Sequence, residues 1–167
     1  MTHKSFSFFL LGLIFIVGID QTAKYWVMHN IFLETEIPLL PFLSLYHVHN
    51  SGIAFSFFSS FSHWGLIALT LIIIFFLLCL WNNTKDSRYL SRFGLTLIIG
   101  GAIGNLIDRI RFHYVIDFIL FYIDDIFYFA IFNLADTFIT FGVIALLIEE
   151  ILIWIKEKRH SNRTSSK

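Results

Sequence analysis

The sequence is poor in cysteine, proline and charge. Cys79 is the only cysteine among 167 residues, so no disulfide can form within the chain. Lysine and arginine together number 12, as do aspartate and glutamate, so the net charge is zero. This balance argues against nucleic acid as a partner, because no basic surface is available to meet phosphates. Charged residues make up 14% of the chain, where about 25% is usual in a soluble domain.

Apolar residues are correspondingly abundant. They form 57% of the chain and include 21 phenylalanines. A small soluble fold leaves much of its area in water and could not hide this much apolar surface. The composition therefore indicates an integral membrane protein, and the length suggests a single domain.

Four apolar segments could each supply the roughly 20 helical residues that cross a bilayer. The first has a basic start but no small-residue cleavage site after its apolar centre, so we interpret it as an uncleaved span. Tryptophans near the span ends are typical of aromatic belts, namely Trp26, Trp64, Trp81 and Trp154. We predict an all-α membrane protein whose single membrane domain, residues 1–158, has spans at about 5–28, 63–81, 93–109 and 134–155, followed by a mobile tail at 159–167.

The basic residues are distributed unevenly between the two sides of these spans. Only Lys24, Arg109 and Arg111 lie on one side. The nine on the other side are Lys4, Lys85, Arg88, Arg92, Lys156, Lys158, Arg159, Arg163 and Lys167. The positive-inside rule therefore predicts cytoplasmic termini, with residues 20–62 and 108–133 facing outward.

The first outward segment has strand-forming composition. Pro38 and Pro41 interrupt helix, residues 42–49 are rich in aromatic and β-branched side chains, and Asn50-Ser51-Gly52 is a turn signal. We expect a small β-element over the outer membrane face.

Polar residues at the outer helix ends form two groups. Asp20 and Lys24 share a helix face; an ion pair that fixes the helix end is the simpler interpretation, and a direct chemical role is the alternative. Asn105, Asp108 and Arg109 also share a face, one turn after a Gly100-x-x-x-Gly104 packing motif. Three polar groups on one face of a membrane helix are costly unless they are paired or functional.

Two further aspartates lie in apolar surroundings. Asp117 falls within Val115-Ile116-Asp117-Phe118-Ile119, which would desolvate its carboxylate. Asp136 begins the fourth span, where a helix N-terminus could simply stabilise its charge.

Other catalytic chemistries have weaker support in the sequence. His47 and His49 point the same way on a strand, but no third ligand lies at a telling spacing, so we expect no metal. The G-x-S-x-G nucleophile motif is absent. Cys79 lies in mid-span, where packing is the simpler role.

Taken in order, these motifs resemble those of the bacterial lipoprotein signal peptidases (signal peptidase II). The resemblance covers roughly residues 19–142. The motifs that carry it are Asp20-Gln21-x-x-Lys24, Asn50-x-Gly52-x-Ala54-Phe55, Gly100-Gly101-Ala102-x-Gly104-Asn105-x-x-Asp108-Arg109, Val115-x-Asp117-Phe118 and Phe132-Asn133-x-Ala135-Asp136.

The resemblance implies specific roles for these residues. Asp117 and Asp136 would be the catalytic pair. Residues implied to line or shape the substrate site are Asn105, Arg109, Asn133, Asn50, Gly52, Asp20 and Lys24. The chain departs from many relatives at Ala130-Ile131, where they have Trp-Pro, and in the extra acidic pair Asp124-Asp125. Both departures concern the conformation of the loop.

The family's reaction removes the signal peptide from diacylglyceryl-modified prolipoproteins, just before the lipidated cysteine. The resemblance therefore implies an aspartyl endopeptidase of the bacterial inner membrane, without cofactor, whose partners are prolipoprotein substrates and membrane lipid. We expect a monomer. The aromatic loop 120–132 and the β-element could form a lid and a cradle over the site.

The sequence leaves two other functions open. A small transporter or packing subunit could be built on the glycine motif, although a transporter needs ionisable residues near the midplane. A membrane metalloprotease could use His47 and His49.

Overall fold

The computed structural model describes residues 3–52, 63–123 and 127–164. Four helices in this part of the chain are long and apolar enough to cross a membrane, which confirms the predicted fold class. They are α1 (His3–Asn30), α2 (His63–Asn83), α3 (Tyr89–Phe112) and α4 (Leu134–Thr164). Each contains a predicted span, and α4 continues to Thr164, so residues 159–164 of the predicted tail are helical.

Helix α3 lies at the centre of the bundle and contacts the other three helices. Its glycines allow this close packing. A Cβ on Gly100 would lie 2.7 Å from Ile16 of α1, and one on Gly101 would lie 2.4 Å from the backbone oxygen of Ala135 in α4. The packing role predicted for this glycine-rich stretch is therefore seen against two helices.

An antiparallel sheet covers one end of the bundle. Its strands, in spatial order, are β1 (Glu36–Leu40), β2 (Leu43–Asn50), β3 (Val115–Ile123) and β4 (Phe127–Tyr128). The predicted β-element is confirmed and is larger than expected. Pro38 lies within β1, an edge strand, where its missing N–H costs no ladder hydrogen bond.

The segment predicted as a loop lid is largely strand. Residues 120–123 belong to β3, and Tyr122 pairs with Tyr128 of β4. These residues extend the sheet by backbone pairing, whereas residues 129–131 form the irregular part of the segment. Asp124 and Asp125 lie outside the described residues.

Two further expectations are corrected by burial. Trp81 is buried, with its ring 4.1 Å from that of Phe9 and the Arg92 guanidinium above it, so it packs in the core and not in an aromatic belt. Cys79 is exposed on α2, so it does not pack in the interior.

The end of the bundle opposite the sheet is held by charged groups. Glu149 accepts a hydrogen bond from the backbone N–H of Ser91 at 2.6 Å, in the first turn of α3, and Arg88 pairs with Glu149 and Glu150. The acidic pair near the end of α4 therefore has an arginine and a backbone N–H as partners within the protein.

Candidate active site

The two aspartates of the predicted pair meet at the sheet end of the bundle. Asp117 lies on β3, and Asp136 lies in the first turn of α4. Both line one cavity, together with Asn105 and Arg109 of α3 and Asn50 at the end of β2. The fold thus brings these five predicted site residues to one place from four separate elements.

Asn133 connects the two aspartates. It caps α4: its Oδ1 accepts from the Asp136 N–H at 3.0 Å, and its own N–H donates to Asp136 Oδ2 at 3.3 Å. This is the reciprocal geometry of a capping box, here with Asn and Asp. Its Nδ2 also donates to Asp117 Oδ1 at 2.6 Å. A local cap therefore sets where one carboxylate lies relative to the other.

Two more amides complete the frame around the carboxylates. Asn50 Nδ2 donates to Asp117 Oδ2 at 2.8 Å, and Asn105 Nδ2 donates to Asp136 Oδ1 at 2.8 Å. All four carboxylate oxygens of Asp117 and Asp136 consequently accept from an N–H group. Each oxygen retains a second lone pair for a proton, water or substrate.

The electrostatic setting favours a shared proton. The Asp117 side chain is buried, and this desolvation, together with the nearby negative charge of Asp136, raises its pKa from 3.8 to about 7. Hydrogen bonds from Asn50 and Asn133 oppose the rise. A carboxyl group poised near neutrality can hold a proton and release it during a reaction.

Arg109 reaches the segment that follows β2. One terminal nitrogen donates to the Gly52 carbonyl at 3.1 Å, and the other lies 3.4 Å from the Asn105 carbonyl. The Gly52 N–H donates to Asn50 Oδ1 at 3.0 Å. Gly52 is thereby tied both to Arg109 and to the residue that contacts Asp117. Ala54 and Phe55 of the same motif lie outside the described residues.

Asp20 and Lys24 form the predicted ion pair, but its location differs from the expected exposed helix end. Both residues are at most 1% exposed. Lys24 Nζ lies 2.9 Å from Asp20 Oδ2 and 2.7 Å from Asp108 Oδ2, and it donates to Asn105 Oδ1 at 3.0 Å. Asp20 Oδ1 accepts the Ala135 N–H at 3.0 Å, in the first turn of α4. The ion pair therefore contacts both α3 and the first turn of α4, and so holds in place two elements that carry site residues.

Sequence reasoning omitted Asp108 and Gln21 from the candidate site. Gln21 donates to Asp108 Oδ1 at 2.9 Å, and Asp108 Oδ2 accepts the Ile116 N–H of β3 at 3.3 Å. Asp108 thus joins α1, α3 and the strand that carries Asp117. Its position on the polar face of a membrane helix was the signal that could have placed it in the site.

The cavity has a volume of about 670 Å³ and extends from the carboxylates between α2, α3 and α4. Apolar side chains form much of its lining, among them Leu66, Leu69, Ile73, Ile98, Ile139 and Phe141. Phe129 and Phe132, beside β4, also contribute. A polar pair on the wall of a largely apolar cavity suits a substrate with a peptide part and a hydrocarbon part.

The two histidines proposed as metal ligands lie in different surroundings. His47 is buried and its Nδ1–H donates to the Ile31 carbonyl at 2.8 Å, whereas His49 is exposed and stacks on Tyr114. Within the described ranges, no three His, Cys, Asp or Glu side chains are grouped to hold a metal ion. A metal site therefore gains no support from this part of the chain.

Comparisons with known proteins agree on one family. The family described as Signal peptidase (SPase) II matches residues 12–152. A protein of Bartonella quintana named lipoprotein signal peptidase is 81% identical over 167 residues, which is 100% of both chains. One of Brucella ovis with the same name is 48% identical over 149 residues, covering 89% of this chain and 92% of the relative.

Solved structures show the same architecture. A bacterial membrane enzyme determined by the in meso method at 2.3 Å resolution aligns with a TM-score of 0.79 and 29% identity, covering 87% of this chain and 88% of that chain. A second, at 1.9 Å resolution, aligns with a TM-score of 0.74 and 29% identity, covering 85% and 91%.

Proposed function

Because the chain belongs to the signal peptidase II family, we propose that it is an aspartyl endopeptidase that removes the signal peptide from diacylglyceryl-modified prolipoproteins. The cut falls just before the lipidated cysteine. The observation that carries the aspartyl mechanism is the pair Asp117 and Asp136, which Asn133 bridges and which lines a largely apolar cavity.

The reaction needs a water molecule and one proton on the pair. The ionised aspartate takes a proton from water as the water oxygen bonds to the scissile carbonyl carbon. The protonated aspartate donates to the carbonyl oxygen, which gives a neutral diol. Collapse of the diol breaks the C–N bond: the protonated aspartate gives its proton to the leaving amine, and a diol hydroxyl gives its proton to the ionised aspartate as the C=O bond reforms. Two close carboxyl groups that titrate together supply both roles without a cofactor.

Other predicted site residues would bind the substrate backbone. The Arg109 guanidinium and the amides of Asn50 and Asn133 surround the carboxylates, where carbonyl groups of a bound peptide need donors. Gly52 adds no side chain, so a peptide can approach closely at that point. Asp20, Lys24 and Asn105 hold this arrangement through buried contacts.

The cavity suits a lipid-modified cysteine. Two acyl chains keep the modified residue at the bilayer surface, and an apolar cavity beside the carboxylates can take up part of that hydrocarbon. The scissile bond is then presented at a fixed depth.

We propose an inner-membrane location with both termini in the cytoplasm and the active site at the outer face. Among the described residues, eight basic residues lie on the side away from the sheet, as the positive-inside rule requires for that orientation. A thiol-reactive, membrane-impermeant label should modify Thr35→Cys but not Ser87→Cys in intact spheroplasts, both in a Cys79→Ser background. The opposite labelling pattern would contradict this orientation.

The enzymatic test is cleavage of a diacylated lipobox peptide by purified protein in detergent with a chelator present. Cleavage is expected before the lipidated cysteine. Asp117→Asn and Asp136→Asn should each abolish turnover while leaving helix content unchanged. Asp86→Asn, at the opposite end of the bundle, is the matched control and should retain activity.

Three other results of this assay would contradict parts of the proposal. Activity in either active-site variant would overturn the carboxylate assignment. Loss of activity with the chelator would favour the metal-dependent alternative. Absence of cleavage by the wild-type protein would favour a non-enzymatic membrane role. Since one chain supplies every site residue named here, we propose that a monomer is sufficient.

A further inference from the structure

We infer that Lys24 is a positioning residue that orients the Asn105 amide and so makes Asp136 the base and Asp117 the acid of the pair. This inference rests on the proposed function, because it assigns roles within that reaction. It starts from the contact between Lys24 Nζ and Asn105 Oδ1 at 3.0 Å, with both side chains buried.

An asparagine amide can present either its oxygen or its NH₂ group in nearly the same shape, and the partners decide which. A lysine ammonium only donates, so the atom of Asn105 facing Lys24 must be the oxygen. The NH₂ group is thereby directed at Asp136 Oδ1, 2.8 Å away. Asn133 Nδ2, at 3.1 Å from Asn105 Oδ1, supports the same orientation without carrying a charge.

The other two amides of the frame are oriented by backbone groups. Asn133 Oδ1 accepts the Asp136 N–H, and Asn50 Oδ1 accepts the Gly52 N–H. Asn105 differs because its oxygen is held by side chains, of which Lys24 is the charged one. The orientation of the Asn105 amide is therefore the one that a side-chain substitution is most able to change.

The charges around this contact come from several elements. Lys24 is flanked by Asp20 on its own helix and by Asp108 on α3. Asp136 is influenced by Arg109 on α3 and by Asp117 on β3. Removing Lys24 alone would leave Asp20 and Asp108 as unpaired buried carboxylates, which is strongly destabilising.

A reversed Asn105 amide would place its oxygen against Asp136 Oδ1. Two acceptors can meet only if a proton lies between them, so Asp136 would have to bind a proton and could not take one from water. With the observed orientation, the Asn105 NH₂ group donates to Asp136 Oδ1, so this contact does not require a proton on Asp136. The shared proton then belongs to Asp117, whose buried side chain favours the neutral form.

The test compares Lys24→Met/Asp108→Asn with wild type, because this double change keeps the net charge of the buried cluster of Asp20, Lys24 and Asp108. Asp108→Asn alone shows what the loss of that carboxylate contributes. The measurement is kcat/KM against pH for the diacylated peptide. We expect the acidic limb of the double variant to move to higher pH by one unit or more, with KM unchanged. The alkaline limb should also move to higher pH, because the charge of Lys24 lowers the pKa of Asp117. Asp86→Asn, which pairs with Arg92 at the opposite end of the bundle, is the control and should keep the wild-type profile.

Asn105→Asp provides a second route if the double variant does not fold. It keeps the shape of the side chain and puts an oxygen where the NH₂ group now faces Asp136, so the acidic limb should again move to higher pH. Profiles that coincide with wild type, or a uniform loss of rate at every pH, would overturn the inference. Failure of the wild-type protein to cleave the peptide would instead overturn the proposed function.

Discussion

Asn133 Nδ2 lies 2.6 Å from Asp117 Oδ1, and this contact joins the strand β3 to the N-terminus of α4. The same side chain caps the helix that carries Asp136. The separation of the two carboxylates is thus set by one residue with a structural role and a site role, and these two roles can be separated by substitution.

Asn133→Ala should lower kcat by a factor of 100 or more and destabilise the fold by about 1 kcal/mol, the usual cost of a lost N-cap. Asn133→Ser is the matched variant, since its hydroxyl can cap α4 but cannot reach Asp117 as the amide does. We expect it to recover most of the stability and little of the activity. If serine restored kcat as well, the bridge between the carboxylates would not be needed.

The rate should depend on the protonation of Asp117. Since the pKa of Asp117 is raised to about 7, kcat/KM is expected to fall as the pH rises through that value, because the acid loses its proton. Asn50→Ala removes a hydrogen bond that favours the ionised form, so it should move this alkaline limb to higher pH. An alkaline limb unchanged by Asn50→Ala would show that it belongs to another group.

The free energy of unfolding should also depend on pH because the pKa of Asp117 is raised. The folded protein binds the Asp117 proton more tightly than the unfolded chain, so this group contributes stability below about pH 4 that is lost as the pH rises through about 7. The melting temperature of Asp117→Asn relative to wild type should therefore increase between pH 4 and pH 8. Thermal unfolding in detergent measures it, with Asp86→Asn as control. A difference independent of pH would contradict the raised pKa.

Close packing of α3 against α4 should be sensitive to a single methyl group. Gly101→Ala places a Cβ 2.4 Å from the Ala135 backbone oxygen, at the start of the helix that carries Asp136, so we expect a loss of about 1–3 kcal/mol and of activity. Gly18→Ala is the matched control, because its Cβ meets nothing within 4 Å. Thermal unfolding of both variants checks the prediction, which fails if the two behave alike.

The aromatic residues after β4 should affect substrate binding more than chemistry. Phe129 lines the cavity, so Phe129→Ala is expected to raise KM for the diacylated peptide about tenfold with little change in kcat. Phe127 belongs to β4 but does not line the cavity, and Phe127→Ala should have a smaller effect. An unchanged KM in Phe129→Ala would remove the support for a covering role of this segment.

The sequence was sufficient for features that depend on local composition. The four helices follow from apolar runs, and a strand after Pro41 follows from its aromatic and β-branched residues. Strand β3 was missed because Val115-Ile116-Asp117-Phe118 is apolar on both faces and shows no alternation. A strand buried on both sides cannot be told from a helix segment by pattern alone.

By itself, the sequence determined the membrane class, the asymmetry of basic charge and the residues that carry the family resemblance, because these depend on residue types and their order. The tertiary structure decided that the ion pair of Asp20 and Lys24 is buried, since its burial requires Asp108 from another helix. It also decided that Asn133 joins Asp117 to Asp136. Such contacts unite residues far apart in the chain, so neither their distances nor the protonation they favour can be derived before the elements have packed.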